Sequence, residues 1–159
     1  MNPSVYVETS IISYLSARAS RDVVIAAHQQ LTRQWWKRRR SYRLFVSQIV
    51  RDEAAVGDPA ARARRLKALG GVPALAVGDE ATRLAGELIR RGALPRKAAV
   101  DAFHIGIAAA HQIDYLLTWN CKHIANATMR GTIEAICRSA GLTPPIICTP
   151  EELPAGSSR

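Results

Sequence analysis

The chain has 159 residues, 48% of them hydrophobic, which is long and apolar enough for one domain with a packed core. Its formal net charge of +9 lies mostly in the first half and favours a polyanionic partner, either a nucleic acid or an acidic protein, although an Arg-rich proteome would give the same balance. Three cysteines without a C-x-x-C pair argue against a disulfide framework and a zinc knuckle and favour a reducing, cytoplasmic location, while no apolar stretch predicts a signal peptide or a membrane span.

The first strand and the helix after it bring polar side chains to one point. A strand is predicted over Ser4–Val7, and a helix begins near Ile11. Two interpretations of the residues between them stay open. Either Thr9 or Ser10 caps the helix, or the Glu8 carboxylate faces a site at the strand end with the hydroxyls in support. The capping interpretation accounts for the hydroxyls but not for the acid.

An amphipathic helix with a basic end is predicted over residues 21–40. The apolar residues expected to face the core recur at helical spacing, and they are Val24, Ala27, Leu31 and Trp35. The run Lys37-Arg38-Arg39-Arg40 at its end is either a solvated helix terminus or, with Arg43, a patch that contacts phosphates. The helix over residues 22–36 and the arginines after it are also where we expect a dimer or partner contact.

Strands and helices alternate along the remaining chain. Strands are predicted over residues 44–47, 72–77, 115–118 and 146–149. Helices are predicted over residues 48–56, 59–69, 79–91 and 133–140, together with one that carries Asp101 and runs to Ala110 and one that begins at 149–152. Such alternation predicts one α/β domain with a parallel sheet.

The stretch from residue 98 to residue 126 carries the clearest chemical signal. Asp101 opens an Ala-rich helix that should be buried, and a buried carboxylate needs a partner or a cation, although the helix dipole alone also favours an acid in a first turn. Asn120 ends the strand that follows. Because functional groups gather beyond the carboxyl ends of strands in open α/β sheets, we expect Asp101 and Asn120 to lie near each other.

Other polar residues carry weaker predictions. Glu53, on the predicted helix 48–56, is either an ordinary exposed acid or a member of the same cluster. Lys122 and His123, just past the strand, are either phosphate contacts or plain loop residues. His104 is predicted to be a hydrogen-bonded core residue. Asp114 is predicted to lie at the opposite end of the strand, about 20 Å from Asn120, and therefore outside the site.

The order of the acids resembles that of a known family. The pattern consists of Glu8-Thr9-Ser10 after strand one, Glu53 after strand two, Asp101-Ala102 opening a helix, and Leu117-Thr118-Trp119-Asn120 at a strand end. It resembles PIN-domain proteins and, more narrowly, VapC-type ribonuclease toxins of bacterial toxin–antitoxin pairs. The resemblance extends from Val5 to about Leu153. It implies a single three-layer α/β/α sandwich with a central parallel sheet over residues 1–153. The sequence itself predicts that the tail over residues 154–159 is disordered.

The resemblance also implies a cluster of acids that holds Mg²⁺ or Mn²⁺. Glu8 stands where the family usually has Asp, and Asn120 stands where a fourth acid is expected. Glu53 and Asp101 match the two other acids. Three carboxylates suffice for one hard divalent cation with several waters, whereas a second cation would be held more weakly.

The implied activity is hydrolysis of RNA phosphodiester bonds by a metal-activated water, leaving a 5′-phosphate and a 3′-hydroxyl, in a homodimeric toxin with a cognate antitoxin. Asn120 would position water or substrate. The residues expected to contact substrate are Thr9, Ser10, Lys122, His123, Arg38, Arg39 and Arg40. A catalytically weak PIN-fold protein that binds RNA or an antitoxin, and a DNA-directed nuclease of the same fold, remain the alternatives.

Overall fold

Five parallel strands form the central sheet of the protein, a computed structural model in which residues 1–154 are described. The strands are β1 (Ser4–Val7), β2 (Arg43–Ser47), β3 (Ala74–Leu75), β4 (Tyr115–Leu117) and β5 (Ile146–Cys148). Their order in the sheet is β3-β2-β1-β4-β5. The register places Val5 between Leu44 of β2 and Tyr115 of β4. Apart from Pro154, the predicted disordered tail lies outside the described residues.

Seven α-helices flank this sheet within residues 1–154. They are α1 (Thr9–Ser16), α2 (Val23–Lys37), α3 (Gln48–Ala54), α4 (Pro59–Leu69), α5 (Asp79–Arg90), α6 (Ala99–Ala110) and α7 (Arg130–Ser139). Single 3₁₀ turns at Arg39–Ser41 and Arg96–Ala98 precede β2 and α6. The predicted α/β/α sandwich with a parallel sheet is confirmed. None of these helices is long and apolar enough to cross a membrane.

The core is built around β1 and α6. Val5, Tyr6 and Val7 are completely buried, because β1 lies at the centre of the sheet with a layer of helices on each face. In α6 the residues from Ile105 to Ala109 are buried as well, as the Ala-rich sequence predicts. At Gly106 the backbone of α6 approaches α5 so closely that an added Cβ would lie 2.5 Å from the carbonyl oxygen of Ala81.

The strand order creates a crevice at the carboxyl edge of the sheet. From β1 the chain proceeds to β2 and β3 on one side, whereas β4 and β5 are added on the other side. The connections therefore diverge between β1 and β4, which is where open α/β sheets bind their ligands. A hydrogen bond of 3.0 Å from the Glu8 amide to the Leu117 carbonyl extends the β1–β4 pairing into this crevice.

The predicted inner face of α2 is correct only in part. Trp35 is buried as predicted, but Val24 and Ala27 are exposed, and the other buried residues are Gln29 and Thr32. The polar members of this face satisfy their hydrogen bonds inside the protein. The Gln29 amide donates to the Arg18 carbonyl at 2.9 Å and accepts from the Ser20 amide at 3.0 Å. Paired polar groups can be buried at little cost, so hydrophobic spacing alone misassigned this face.

Three predicted element boundaries also differ. The strand expected over residues 72–77 is only Ala74–Leu75, and α7 begins three residues earlier than expected, at Arg130. Thr149 does not begin a helix. Instead, its amide and hydroxyl both donate to Oε1 of Glu152, at 3.3 and 3.1 Å, and close a turn. Proline and acids at this point therefore marked a turn and not a helix start.

Candidate active site

Glu8 lies directly after the central strand and is itself the N-cap of α1. Its Oε2 atom accepts from the Ser10 amide at 2.7 Å and from the Thr118 hydroxyl at 3.2 Å. The residue is only 5% exposed, and this burial raises the pKa of Glu8, which the hydrogen bonds from Ser10 offset only in part. Of the two interpretations of this segment, capping by Thr9 or Ser10 is wrong, because the N-cap is Glu8, whose side chain accepts from the Ser10 amide.

Three hydroxyl groups support the acids and the loop after β4. Thr9 donates to Glu53 at 2.6 Å, and Ser10 accepts from the Trp119 amide at 2.8 Å. Thr118, which the sequence analysis placed only at a strand end, donates to Glu8 and accepts from the Asn120 amide at 2.9 Å. The contact between Thr118 and Glu8 could have been predicted from the strand pairing, because Leu117 of β4 pairs with Val7 of β1 and each is followed by one of these two residues.

Glu53 lies in the last turn of α3, and its side chain is 38% exposed. It is not an isolated surface acid. Its Oε1 atom accepts a hydrogen bond from the Thr9 hydroxyl and lies 2.8 Å from Nε2 of His104. Partial burial acts to raise the pKa of Glu53, but the hydrogen bonds from His104 and Thr9 outweigh it and the pKa is lowered. This carboxylate is therefore held in its charged form.

His104 is completely buried in α6, as predicted for a hydrogen-bonded core residue. Its Nδ1 atom lies 2.7 Å from the Tyr6 hydroxyl, which in turn lies 2.7 Å from the Ser47 hydroxyl. Sequence reasoning missed the contact between His104 and Glu53. The available signal was the spacing from Asp101, because residues three apart on a helix lie on the same face.

Asp101 and Asn120 both contact His123. Asp101, in the first turn of α6, places Oδ2 3.0 Å from Nδ1 of His123. The Oδ1 atom of Asn120 accepts from the His123 backbone amide, also at 3.0 Å. The two residues are thus brought to the same crevice, as predicted from the strand and helix positions.

The three carboxylates share one pattern. In each, one oxygen is held by protein donors, namely Oε2 of Glu8, Oε1 of Glu53 and Oδ2 of Asp101. The second oxygen of each has no hydrogen-bonding partner within residues 1–154. Carboxylate oxygens are the ligands that hard divalent cations prefer, so the chemistry of the donor set fits Mg²⁺ or Mn²⁺.

The spacing of the acids is looser than that of a formed metal site. Among the described residues, no three His, Cys, Asp or Glu side chains lie close enough together to hold an ion. Nor does any lysine or arginine neutralise these acids there. Within residues 1–154 the two ion pairs that involve arginine are made by Glu87 and Glu134, away from the site, whereas Glu53 and Asp101 each pair with a histidine.

Two basic regions lie at opposite edges of the sheet. Lys122 and His123 line a cleft of about 630 Å³ together with Arg96, Lys97 and Asn126, next to the Asp101–His123 contact. Arg38, Arg39 and Arg40 directly precede β2, where the Arg40 carbonyl accepts a hydrogen bond of 3.3 Å from the Asn2 side chain. They lie at the amino edge, away from the acids, and their contact with phosphate stays a prediction.

Asp114 lies at that same amino edge, as predicted. Its Oδ2 atom accepts from the Ser4 amide at 2.7 Å and from the Ser4 hydroxyl at 2.9 Å. These two hydrogen bonds, the backbone one first, lower the pKa of Asp114. The residue fastens the start of β4 to the start of β1 and takes no part in the crevice.

The chain is similar to a known family and to solved structures. The PIN domain family profile matches residues 5–123. A structure of VapBC2 from Rickettsia felis bound to a promoter DNA fragment aligns with a TM-score of 0.59 at 13% identity, covering 92% of this chain and 98% of that one. VapC20 of Mycobacterium tuberculosis, a toxin that cleaves the sarcin–ricin loop, aligns with a TM-score of 0.58 at 15% identity, covering 77% and 95%.

No curated protein matches the sequence. At such low identities the two solved structures are evidence for the fold alone. The profile, in contrast, spans well over half of the chain and includes Glu8, Glu53, Asp101 and Asn120. The chain belongs to the PIN domain family.

Proposed function

We propose that the protein is a metal-dependent endoribonuclease and the toxin of a toxin–antitoxin pair. The observation that carries the proposal is the set of three carboxylates at the carboxyl edge of the sheet, each with one oxygen held by the protein and one oxygen left over. Carboxylates that are drawn together repel one another, and a divalent cation bound between them relieves that repulsion. The nuclease activity of the PIN domain family supports the same conclusion.

Glu8, Glu53 and Asp101 would hold Mg²⁺ or Mn²⁺ through their unpaired oxygens. When bound, such a cation supplies a Lewis acid that polarises a phosphate and makes water a better nucleophile near neutral pH. Thr9 donates to Oε1 of Glu53 and Thr118 donates to Oε2 of Glu8, and these hydrogen bonds limit the rotation of the two carboxylates. Ordered ligands of this kind lower the reorganisation that the reaction would otherwise require.

Asn120 is better suited to contact the substrate than to bind the cation. Because its Oδ1 atom already accepts from the His123 amide, its side-chain nitrogen is the group that remains available. An amide nitrogen donates hydrogen bonds, and phosphate oxygens accept them. Replacing the expected acid by a neutral amide also removes one charge that would repel the RNA backbone. We therefore assign Asn120 to orienting the scissile phosphate.

Lys122 and His123 would contact the nucleotides next to that phosphate, because their cleft opens beside Asp101. Ser10 contributes by holding the loop that carries them. Arg38–Arg40 lie far from the acids, so they would contact either a more distant segment of a long RNA or a protein partner. The proposed partners are RNA, a cognate antitoxin and a second copy of the chain, in the cytoplasm. The likeness of the fold to VapBC proteins supports the antitoxin.

A second candidate is a PIN-fold protein that binds RNA or an antitoxin without cleaving RNA. Two observations favour it. The acids within residues 1–154 do not converge to the spacing of a metal site, and the fourth acid is replaced by Asn120. A site that bound a cation weakly would retain the fold and the basic cleft while losing catalysis.

Cleavage of a labelled RNA pool, with a labelled DNA pool in parallel, tests the proposal. Purified protein would be incubated with Mg²⁺, with Mn²⁺ or with EDTA, together with the variants Asp101→Asn and Asp114→Asn. The second variant is a matched control, because it removes the same charge at the opposite edge of the sheet. We expect metal-dependent RNA cleavage that falls at least a hundredfold in Asp101→Asn only.

Equal cleavage by wild-type protein and Asp101→Asn would refute the assignment of the site. RNA binding that weakens with salt, without cleavage under any condition, would establish the second candidate. Cleavage of the DNA pool with equal or greater efficiency would instead indicate a DNA-directed enzyme.

A further inference from the structure

A row of hydrogen-bonding side chains leads from the interior of the sheet to Glu53. It joins the Ser47 hydroxyl, the Tyr6 hydroxyl, the two ring nitrogens of His104 and Oε1 of Glu53, with successive distances of 2.7, 2.7 and 2.8 Å. Tyr6 and His104 are completely buried. The row therefore connects β2, β1, α6 and α3 below the crevice.

The direction of each hydrogen bond follows from the groups at the two ends. The Glu53 carboxylate offers only acceptor oxygens, so Nε2 of His104 carries the proton that faces it at 2.8 Å. In a neutral imidazole Nδ1 is then an acceptor, so the Tyr6 hydroxyl donates to it. Burial raises the pKa of Tyr6, which keeps this hydroxyl protonated. The Ser47 hydroxyl can donate to Tyr6 while accepting from the Val50 amide. Every group in the row thus has a hydrogen-bonding partner.

Glu53 has little else to fix its position. It lies in the last turn of a seven-residue helix, its side chain is more than one-third exposed, and both of its protein donors reach the same oxygen. Water could satisfy so exposed a carboxylate without any histidine. The contact from His104 is thus not needed to solvate Glu53, but it removes the freedom of the side chain to rotate.

His104 also lies one turn after Asp101 on the same helix. A hydrogen bond from this position to Glu53 therefore ties an acid on α3 to the helix that carries another acid. We propose that His104 is a positioning residue, whose Nε2–H group holds Oε1 of Glu53 so that Oε2 remains available to a divalent cation shared with Asp101. This inference rests on the proposed metal site.

The tautomer of His104 provides a test that requires neither metal nor activity. Nitrogen-15 NMR of histidine-labelled, metal-free protein distinguishes a protonated Nε2 from a protonated Nδ1. We expect the Nε2–H form for His104, and assignment is secured by its loss in His104→Gln. A protonated Nδ1 with a bare Nε2 would overturn the proposal, because that ring could not donate to Glu53.

Binding of Mn²⁺ by calorimetry provides the second test. His104→Phe keeps a planar ring but lacks the donor, whereas the amide nitrogen of His104→Gln can replace Nε2. Loss of a partner that orients a metal ligand typically weakens binding about 10- to 100-fold. We expect a loss of this size in His104→Phe and recovery to within about threefold of wild type in His104→Gln. His111→Phe, an exposed histidine just after the same helix, is the matched control and should bind as wild type.

These outcomes separate the two proposals. Unchanged Mn²⁺ affinity in folded His104→Phe, with RNA cleavage intact in wild type, would overturn the positioning role alone. Affinity that depends on His104, without RNA cleavage by wild type, would refute the ribonuclease alone. Wild-type protein that binds no Mn²⁺ would overturn both. If His104→Phe does not fold, the tautomer and the recovery in His104→Gln decide.

Discussion

Replacing Gly106 by alanine tests how precisely α6 must sit on α5. An added Cβ at this position would lie 2.5 Å from the carbonyl oxygen of Ala81 and 3.3 Å from the carbonyl carbon of the same residue. Unstrained contacts between carbon and carbonyl oxygen are about 3.3–3.6 Å long, so the overlap is roughly 1 Å. The obstructing atom belongs to the backbone of a neighbouring helix and cannot rotate away. The two helices would have to separate.

The expected size of the effect combines two opposing terms. Overpacking of this kind costs about 1–3 kcal/mol, whereas alanine in a helix interior gains about 1 kcal/mol over glycine. With a rigid backbone as the obstacle we take the upper end of the cost, which leaves a net loss of about 2 kcal/mol. For a domain of this size that corresponds to a fall in Tm of about 4–8 °C.

The matched control is Gly86→Ala on α5. Within residues 1–154, no atom outside the local helix backbone lies within 4 Å of a Cβ added there. Only the gain in helix propensity remains, about 1 kcal/mol or a rise in Tm of about 2–4 °C. Thermal unfolding followed by circular dichroism measures both variants. A rise in Tm for Gly106→Ala equal to that for Gly86→Ala would refute the close approach of the two helices.

Two other variants test the electrostatics at opposite edges of the sheet. Because hydrogen bonds from Ser4 lower the pKa of Asp114, its stabilisation is present above its unfolded pKa of about 3.9 and is lost as the pH falls through the folded value. Asp114→Asn should therefore lose about 1 kcal/mol in urea unfolding at neutral pH, and this loss should shrink as the pH falls through the folded value of Asp114; a loss that does not change with pH would contradict this account. At the other edge, Lys122→Ala should reduce the slope of log binding constant against log salt concentration by about 0.7 for RNA, because one phosphate contact is lost. Lys67→Ala on α4 should leave this slope unchanged. The same slope in Lys122→Ala and wild-type protein would show that Lys122 does not contact the RNA.

Most of the fold follows from periodicity and composition. The apolar run of β1 and the Ala-rich α6 were identified correctly, because burial there requires only hydrophobic side chains. The inner face of α2 was identified only in part. Gln29 and Thr32 are buried because their partners lie elsewhere in the chain, and a pattern within one helix carries no information about those partners.

In the site, too, the positions of residues along the chain could be predicted, whereas contacts between separate elements could not. The positions of Glu8, Asp101 and Asn120 could be inferred from where strands end and helices begin. The partner of each acid could not, because His104 reaches Glu53 from another helix and His123 reaches Asp101 from a loop. The distance of Arg38–Arg40 from the site could have been inferred, since residues that precede a strand in a parallel sheet lie at its amino edge.

The central position of β1 has a consequence for synthesis of the chain. Val5 pairs with Tyr115, which is made 110 residues later. At about 5–20 residues per second, translation takes roughly 5–20 s to add the partner strand, and until then one side of the central strand stays open. Glu8 and Glu53 would leave the ribosome early, but Asp101 and Asn120 come late. A nascent or truncated chain therefore cannot bring these four residues together, and the proposed activity should appear only with the nearly complete protein.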